Sequence, residues 1–481
     1  MRTLVIDVGT SGVRAAVIDD DTRIASIHHV ETPPSSPAAG LVEFDAASMW
    51  TTVADCVRRV TGSTRVDAVG ITNQRASVVG WRTSTGTPIA PGIGWQDLRT
   101  VGECLMARAT HGIALAPNQS ATKIAWLRAH VAGARDDDVV FGTVDAWIAW
   151  NLSRGAVHVT DHTNAGVTGL TVPDASSWDE SVLTALEIPV AVLPRIVHTS
   201  GVIGEASALP GSPPIAALVG DQQASLVGQG CLTTGTAKAT FGTGGMLDLF
   251  VGARRPAAAR RTSHGTFPIV AYSTNTTGIT YGAEAVMLSA GTCVEWLRDG
   301  LGIIPSAADS DAIAASVPTT EGVVFVPALL GLGTPHWDYG ARGSLFGVTR
   351  GTTSAHIVRA VLEGVAHRGA DLLEAAEADS RSHVDALRID GGMSRNATFV
   401  HALANASMLP VEVSPVTEAT TLGAGFLAGV AVGTWQTLAD AATTWAPTTI
   451  VEPTSPLDRD RWRDAVGRAA GWIPELSGLD F

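Results

Sequence analysis

Short apolar runs broken by glycine-rich turns recur along the chain. Residues 4–19 read LVIDVGTSGVRAAVID, two Val-, Ile- and Ala-rich runs on either side of Gly-Thr-Ser-Gly. That spacing predicts a β-hairpin. A degenerate echo, ATFGTGGMLDLF, spans residues 239–250 and predicts a second one. Between them the pattern predicts a helix over 49–60, a strand over 66–71, a helix over 123–131 and an apolar strand over 215–219. Beyond the second hairpin it predicts a strand at 323–326, a helix over 354–379 and a strand over 386–389. The Pro-, Thr- and Asp-rich tail after Trp435 reads as a surface extension. Strands alternating with helices in both halves, each half opened by a hairpin, give an α/β architecture.

Length and composition set the scale. At 481 residues the chain exceeds what one core usually serves, so two domains are expected, 1–229 and 230–481. With 45% hydrophobic and 16% charged residues, both can bury sizeable cores. A formal charge of -14 argues against nucleic acid or an anionic membrane as a general partner, though not against a locally bound phosphate. Cys56, Cys104, Cys231 and Cys293 are scattered, which fits a reducing, cytoplasmic setting without a disulfide framework or zinc knuckle. No secretory leader is expected from the first residues, and no apolar run is long enough to span a bilayer despite a mean hydropathy of +0.21.

The turns carry the candidate chemistry. Gly9 and Gly12 allow successive N–H groups to converge on an anion, Thr10 and Ser11 add hydroxyl donors, and Arg14 adds a cation. Asp7 supplies a carboxylate suited to hydrated Mg²⁺. Polar clusters follow predicted strands at Thr72-Asn73-Gln74-Arg75 and Gly220-Asp221-Gln222-Gln223, where α/β folds gather ligand contacts. Phosphoryl transfer needs a grip on the nucleotide, a metal and a base for the attacking hydroxyl. Asp221 is the candidate base, although an isolated Asp before a helix is more often an N-cap. Asp390-Gly391-Gly392 and Asn396 enter a helix and can face the adenine or ribose side of a nucleotide. Trp95, between Gly94 and Gln96-Asp97, offers an indole face for a polyol or sugar. His158 and His162 have a ligand-like spacing but lie in a β-like segment, which favours ordinary polar roles. The GxxxxGK[ST] loop and the protein-kinase motifs are absent.

These residues closely resemble the FGGY carbohydrate kinases, and among them the glycerol kinases. The resemblance rests on IDVGTSGVR, GITNQR, FGTVDAWIAW, HVTDHTNA, GDQQASLVGQ, AKATFGTG, GLGTPHWD, ARGSLFGVTRG and DGGMSRN. It implies an actin-like, ribonuclease-H-like two-domain fold with ATP and substrate in the interdomain cleft. Carried over by position, it implies Asp221 as base, with Asp7 and Asp221 near Mg²⁺. Thr10, Ser11, Arg14 and Thr243 fall on the phosphates, and Gly291, Glu295, Gly391, Gly392 and Asn396 on the nucleotide side. Arg75, Trp95 and Gln222 fall on the polyol. The family also makes a homodimer the assembly to test for.

Departures from the family pattern cluster around the substrate. Ala76 follows Arg75 where glycerol kinases carry Glu. Asn118 stands where an aromatic is expected, and Met246 replaces Phe. These three changes imply a wider pocket, and Asp97, in a xylulokinase-like Trp-Gln-Asp, is the candidate replacement carboxylate. The expected substrate is therefore glycerol, a longer polyol or a ketose. The competing reading is a catalytically silent, nucleotide-driven sensor or scaffold of the same fold. Pro213-Pro214 also replaces the fructose-bisphosphate loop of some bacterial glycerol kinases, so that regulation is not expected.

Overall fold

In the computed structural model, residues 1–478 are described apart from 63, 258–260 and 417. Both glycine-turn patterns become hairpins. Arg2–Val8 pairs antiparallel with Gly12–Asp19, and Ala237–Phe241 with Gly245–Gly252. Each hairpin seeds the same strand order. In the N-terminal half this order is Ile24–Glu31, Gly12–Asp19, Arg2–Val8, Ala68–Asn73, Pro214–Gly220. In the C-terminal half it is Gly278–Met287, Gly245–Gly252, Ala237–Phe241, Leu387–Asp390, Val411–Val413. In both, the first hairpin strand takes a parallel neighbour on its far side, and a second parallel strand follows. The halves join into one 13-stranded sheet where Ser200 meets Thr274.

The parallel strands Ala68–Asn73 and Pro214–Gly220 of the N-terminal half are buried along nearly their whole length, as expected when helices cover both sheet faces. A smaller four-stranded sheet, which includes Val78–Arg82 and Val139–Thr143, flanks the N-terminal half and carries the Trp95 loop. Each half has its own apolar core, and a third forms where helix Ala419–Ala431 lies against the N-terminal sheet.

That helix comes from the C-terminal half and packs against helix Asp221–Gly228 of the N-terminal half at glycine contacts. A Cβ on Gly423 would stand 1.8 Å from the Ala224 carbonyl oxygen, and one on Gly228 would stand 1.9 Å from that of Ala419. Only glycine permits this approach.

The predicted elements are present with ends moved by a few residues: the 49–60 helix is Ala46–Thr61, and the 354–379 helix is Ser354–Ser380. The tail is a correction. Thr449–Val451 adds an edge strand to Val411–Val413, and Arg459–Ala469 is a helix whose Trp462 is fully buried. That helix carries four Arg and two Asp among eleven residues, so its charged composition concealed the buried Trp462, Ala465, Val466 and Ala469.

Candidate active site

Strand ends and hairpin turns carry most of the sequence candidates, and contacts between the two halves bring several of them together. On the N-terminal side, the Gly9 N–H donates to the Gly12 carbonyl at 2.9 Å and closes the first turn. The Gln74 amide donates to the Gly9 carbonyl at 3.2 Å, tying the turn to the neighbouring strand end. Trp95 Nε1 donates to Thr10 Oγ1 at 3.0 Å, so the indole leans on the same turn. Ser11 is exposed beside it.

Arg14 Nη1 lies 3.2 Å from Asp7 Oδ2 and 2.7 Å from Glu418 Oε2, the latter from the opposite half. Burial raises the Asp7 carboxyl to about 7 against the pull of Arg14, and the Asp221 charge adds to the rise. Two nearby acidic oxygens with too little compensating charge are a donor set suited to a hard, hydrated cation.

Asp221 is the first residue of its helix and is not its cap: Gly220 occupies that position. Its Oδ1 accepts from the Gln222 N–H at 2.8 Å and lies 3.6 Å from Arg75 Nε. About 28% of its side-chain surface remains open, enough for a substrate hydroxyl to reach it. Burial raises its proton affinity while Arg75 opposes that rise. A carboxylate with raised affinity is a better proton acceptor near neutral pH.

Arg75 is almost enclosed. Its Nη2 is 2.7 Å from Glu284 Oε2, on a C-terminal strand, and 3.6 Å from Met246 Sδ. Ala76 follows in left-handed backbone at φ +63°, with its carbonyl held by Ser120 Oγ. Gln96 and Asn118 are exposed.

Asp97 requires a correction. It is fully buried and accepts from the Val42 N–H at 2.6 Å and from Arg99 Nε at 2.8 Å, with Arg99 Nη2 2.8 Å from its second oxygen. A carboxylate so occupied has no oxygen to offer a substrate hydroxyl. Besides Asp221, the carboxylate that meets Arg75 is Glu284. Its signal in the sequence was a lone acid within the apolar strand TYGAEAVM, on the far side of the chain from Arg75. Lys238 and Asp248, also missed, carry the same signal in AKATF and GMLDLF.

Of the nucleotide-side candidates, Thr243 lies in the second turn, and Gly291 and Gly391 pack against it. The Thr243 carbonyl accepts from the N–H groups of Ala290 and Thr292, and Gly291 N–H donates to Gly242 at 2.8 Å. Gly391, at φ +89°, packs so closely that a Cβ would stand 2.5 Å from the Phe241 carbonyl. Gly392 and Glu295 are exposed. Asn396 caps helix Ala397–Ser407: its oxygen accepts from Phe399 N–H at 2.9 Å and its nitrogen donates to Ser310 Oγ at 3.0 Å. A nucleotide contact would have to share those bonds. His158 and His162 stay apart from this site, meeting the Phe141 carbonyl and Ser273 Oγ.

Residues 2–228 match the N-terminal domain of the FGGY family of carbohydrate kinases, and residues 237–432 match its C-terminal domain. A glycerol kinase of Aromatoleum aromaticum is 42% identical over 496 residues, covering 98% of this chain and 99% of that one. A glycerol kinase of Bordetella parapertussis is 42% identical over 500 residues, covering 99% and 98%. The solved Plasmodium falciparum glycerol kinase with ADP superposes with a TM-score of 0.91 at 28% identity, covering 97% of this chain and 98% of that one. The chain belongs to the FGGY family of carbohydrate kinases.

Proposed function

We propose that this kinase transfers the γ-phosphate of ATP to a terminal hydroxyl of glycerol or a longer polyol, with Asp221 taking the hydroxyl proton. The observation that carries the reading is the placement of Asp221, about 28% open at the start of its helix, 3.6 Å from Arg75 and near enough to Asp7 for the two charges to act on each other. Full-length similarity to glycerol kinases supports the same chemistry.

In this reading Arg75 and Trp95 hold the polyol, and Asp221 orients the attacking oxygen and accepts its proton. The Gly9–Gly12 turn, Arg14 and Thr243 face the phosphates, while Gly291, Glu295, Gly391 and Gly392 face the nucleoside. Asp7 and Asp221 would hold Mg²⁺, which would offset the negative charge of the phosphates when bound. The two sides of the site come from different halves, so bringing them together excludes water that would otherwise hydrolyse ATP.

Ala76, Asn118 and Met246 still support a roomier pocket than glycerol alone requires, even without Asp97. ADP release measured with glycerol, four- and five-carbon polyols and ketoses decides between them. The roomier pocket predicts that a longer acceptor matches or exceeds glycerol in kcat/KM. A clear preference for glycerol contradicts it.

A further inference from the structure

Three charges lie where an apolar strand pattern leads one to expect none. Lys238, Asp248 and Glu284 sit on adjacent C-terminal strands in direct register, Lys238 opposite Asp248 and Asp248 opposite Glu284. All three are buried. Cross-strand partners project from the same face, so the three form one row. Lys238 Nζ is 2.8 Å from Asp248 Oδ2, and Glu284 Oε2 is 2.7 Å from Arg75 Nη2.

Each end of the row crosses into the other half. At one end Glu284 meets Arg75. At the other, the Lys238 ammonium donates to Gln222 Oε1 at 2.7 Å, and Thr240 Oγ1 lies 3.3 Å away. Arg75 and Gln222 both contact Asp221.

A buried ion pair is a weak source of stability, because desolvation consumes most of its attraction and apolar side chains of similar volume often do as well. What apolar side chains cannot do is fix a polar group from the opposite half. An ammonium only donates hydrogen bonds, so the end of the Gln222 amide that meets it must be the oxygen. The amide nitrogen is then the end that Lys238 does not hold. An N–H donor there binds hydroxyl oxygens, whereas a reversed amide would compete with Asp221 for hydroxyl protons.

We propose that Lys238 is a positioning residue for the acceptor alcohol: held by Asp248, it orients the Gln222 amide from across the cleft so that its N–H groups face the polyol. This rests on the reading of Asp221 as the site of transfer.

The test is a mutant cycle read as separate KM values for polyol and ATP, with melting temperature as the check on folding. The charge-free pair Lys238→Met/Asp248→Leu should stay folded, raise the polyol KM at least tenfold and leave the ATP KM within twofold. Adding Gln222→Ala to that pair should raise the polyol KM no further, since both changes remove one arrangement. A folded pair with a polyol KM within twofold of wild type overturns the proposal, as do equal rises for both substrates or additive effects.

If the pair does not fold, Gln222→Glu decides. It keeps an oxygen for Lys238 and replaces the N–H donor with an acceptor, so the polyol KM should rise at least tenfold, and an unchanged KM overturns the proposal. Wild-type enzyme and Asp221→Asn run alongside. A wild type without acceptor-dependent turnover, or a fully active Asp221→Asn, overturns the transfer reading and this inference with it. An active wild type and a silent Asp221→Asn confine any failure to Lys238.

Discussion

At the scale of single residues, position 76 is the one expected to select the acceptor. Ala76 occupies left-handed backbone directly after Arg75, and a larger side chain adds no backbone strain that Ala does not already bear. Ala76→Glu restores a carboxylate beside the guanidinium. It should improve kcat/KM for glycerol relative to a five-carbon polyol by about tenfold, or about 1.4 kcal/mol. An unchanged ratio in paired assays would show that position 76 does not select the acceptor. Lys123 makes a second residue-level prediction. It is fully buried behind the Trp95 loop, donates to the Trp95 carbonyl at 3.1 Å, and burial lowers its amine to about 7 from 10.5. Between those values the unfolded chain carries a proton that the folded chain has released, so raising the pH favours folding. Denaturant midpoints should rise from pH 7 towards pH 10 relative to Lys123→Met. Parallel curves for the two proteins would refute the assignment.

Among the elements, the helix that starts at Asp221 depends on a partner nearly two hundred residues away in sequence. Its glycine contact with helix Ala419–Ala431 leaves no room for a methyl group against a backbone carbonyl. Gly423→Ala should therefore separate the helices and cost about 1–3 kcal/mol, read as a lowered melting temperature. Turnover should fall as well, because the displaced helix carries Asp221. A variant with native stability and turnover would contradict the close approach. This pairing was not legible in the sequence: local pattern finds helices but not which glycine faces which. The hairpins were legible, because Gly-Thr-Ser-Gly and its echo are local signals. The helix Arg459–Ala469 was not. Its single buried tryptophan, Trp462, sits among charged residues, and only packing shows which face is inside.

For the whole molecule, the repeated strand order explains why two similar hairpins occur in one chain: each opens a half. The polar residues after strand ends were readable because such ends are where this architecture exposes backbone and side chains to ligands. The charges that cross the cleft were not. Glu284 and Asp97 exchange roles between sequence and structure, since both are lone acids in their segments and only the fold shows that Asp97 faces Arg99 while Glu284 faces Arg75. The central claim is that this cleft transfers phosphate from ATP to a polyol through Asp221. Its most direct measurement is acceptor-dependent ADP release by wild type and Asp221→Asn, with folding and ATP binding checked for both. The account predicts turnover by wild type that requires a polyol, and a fall of two or more orders of magnitude in the variant with ATP binding retained. ADP release indifferent to every acceptor, or an Asp221→Asn enzyme with near-normal turnover, would contradict it.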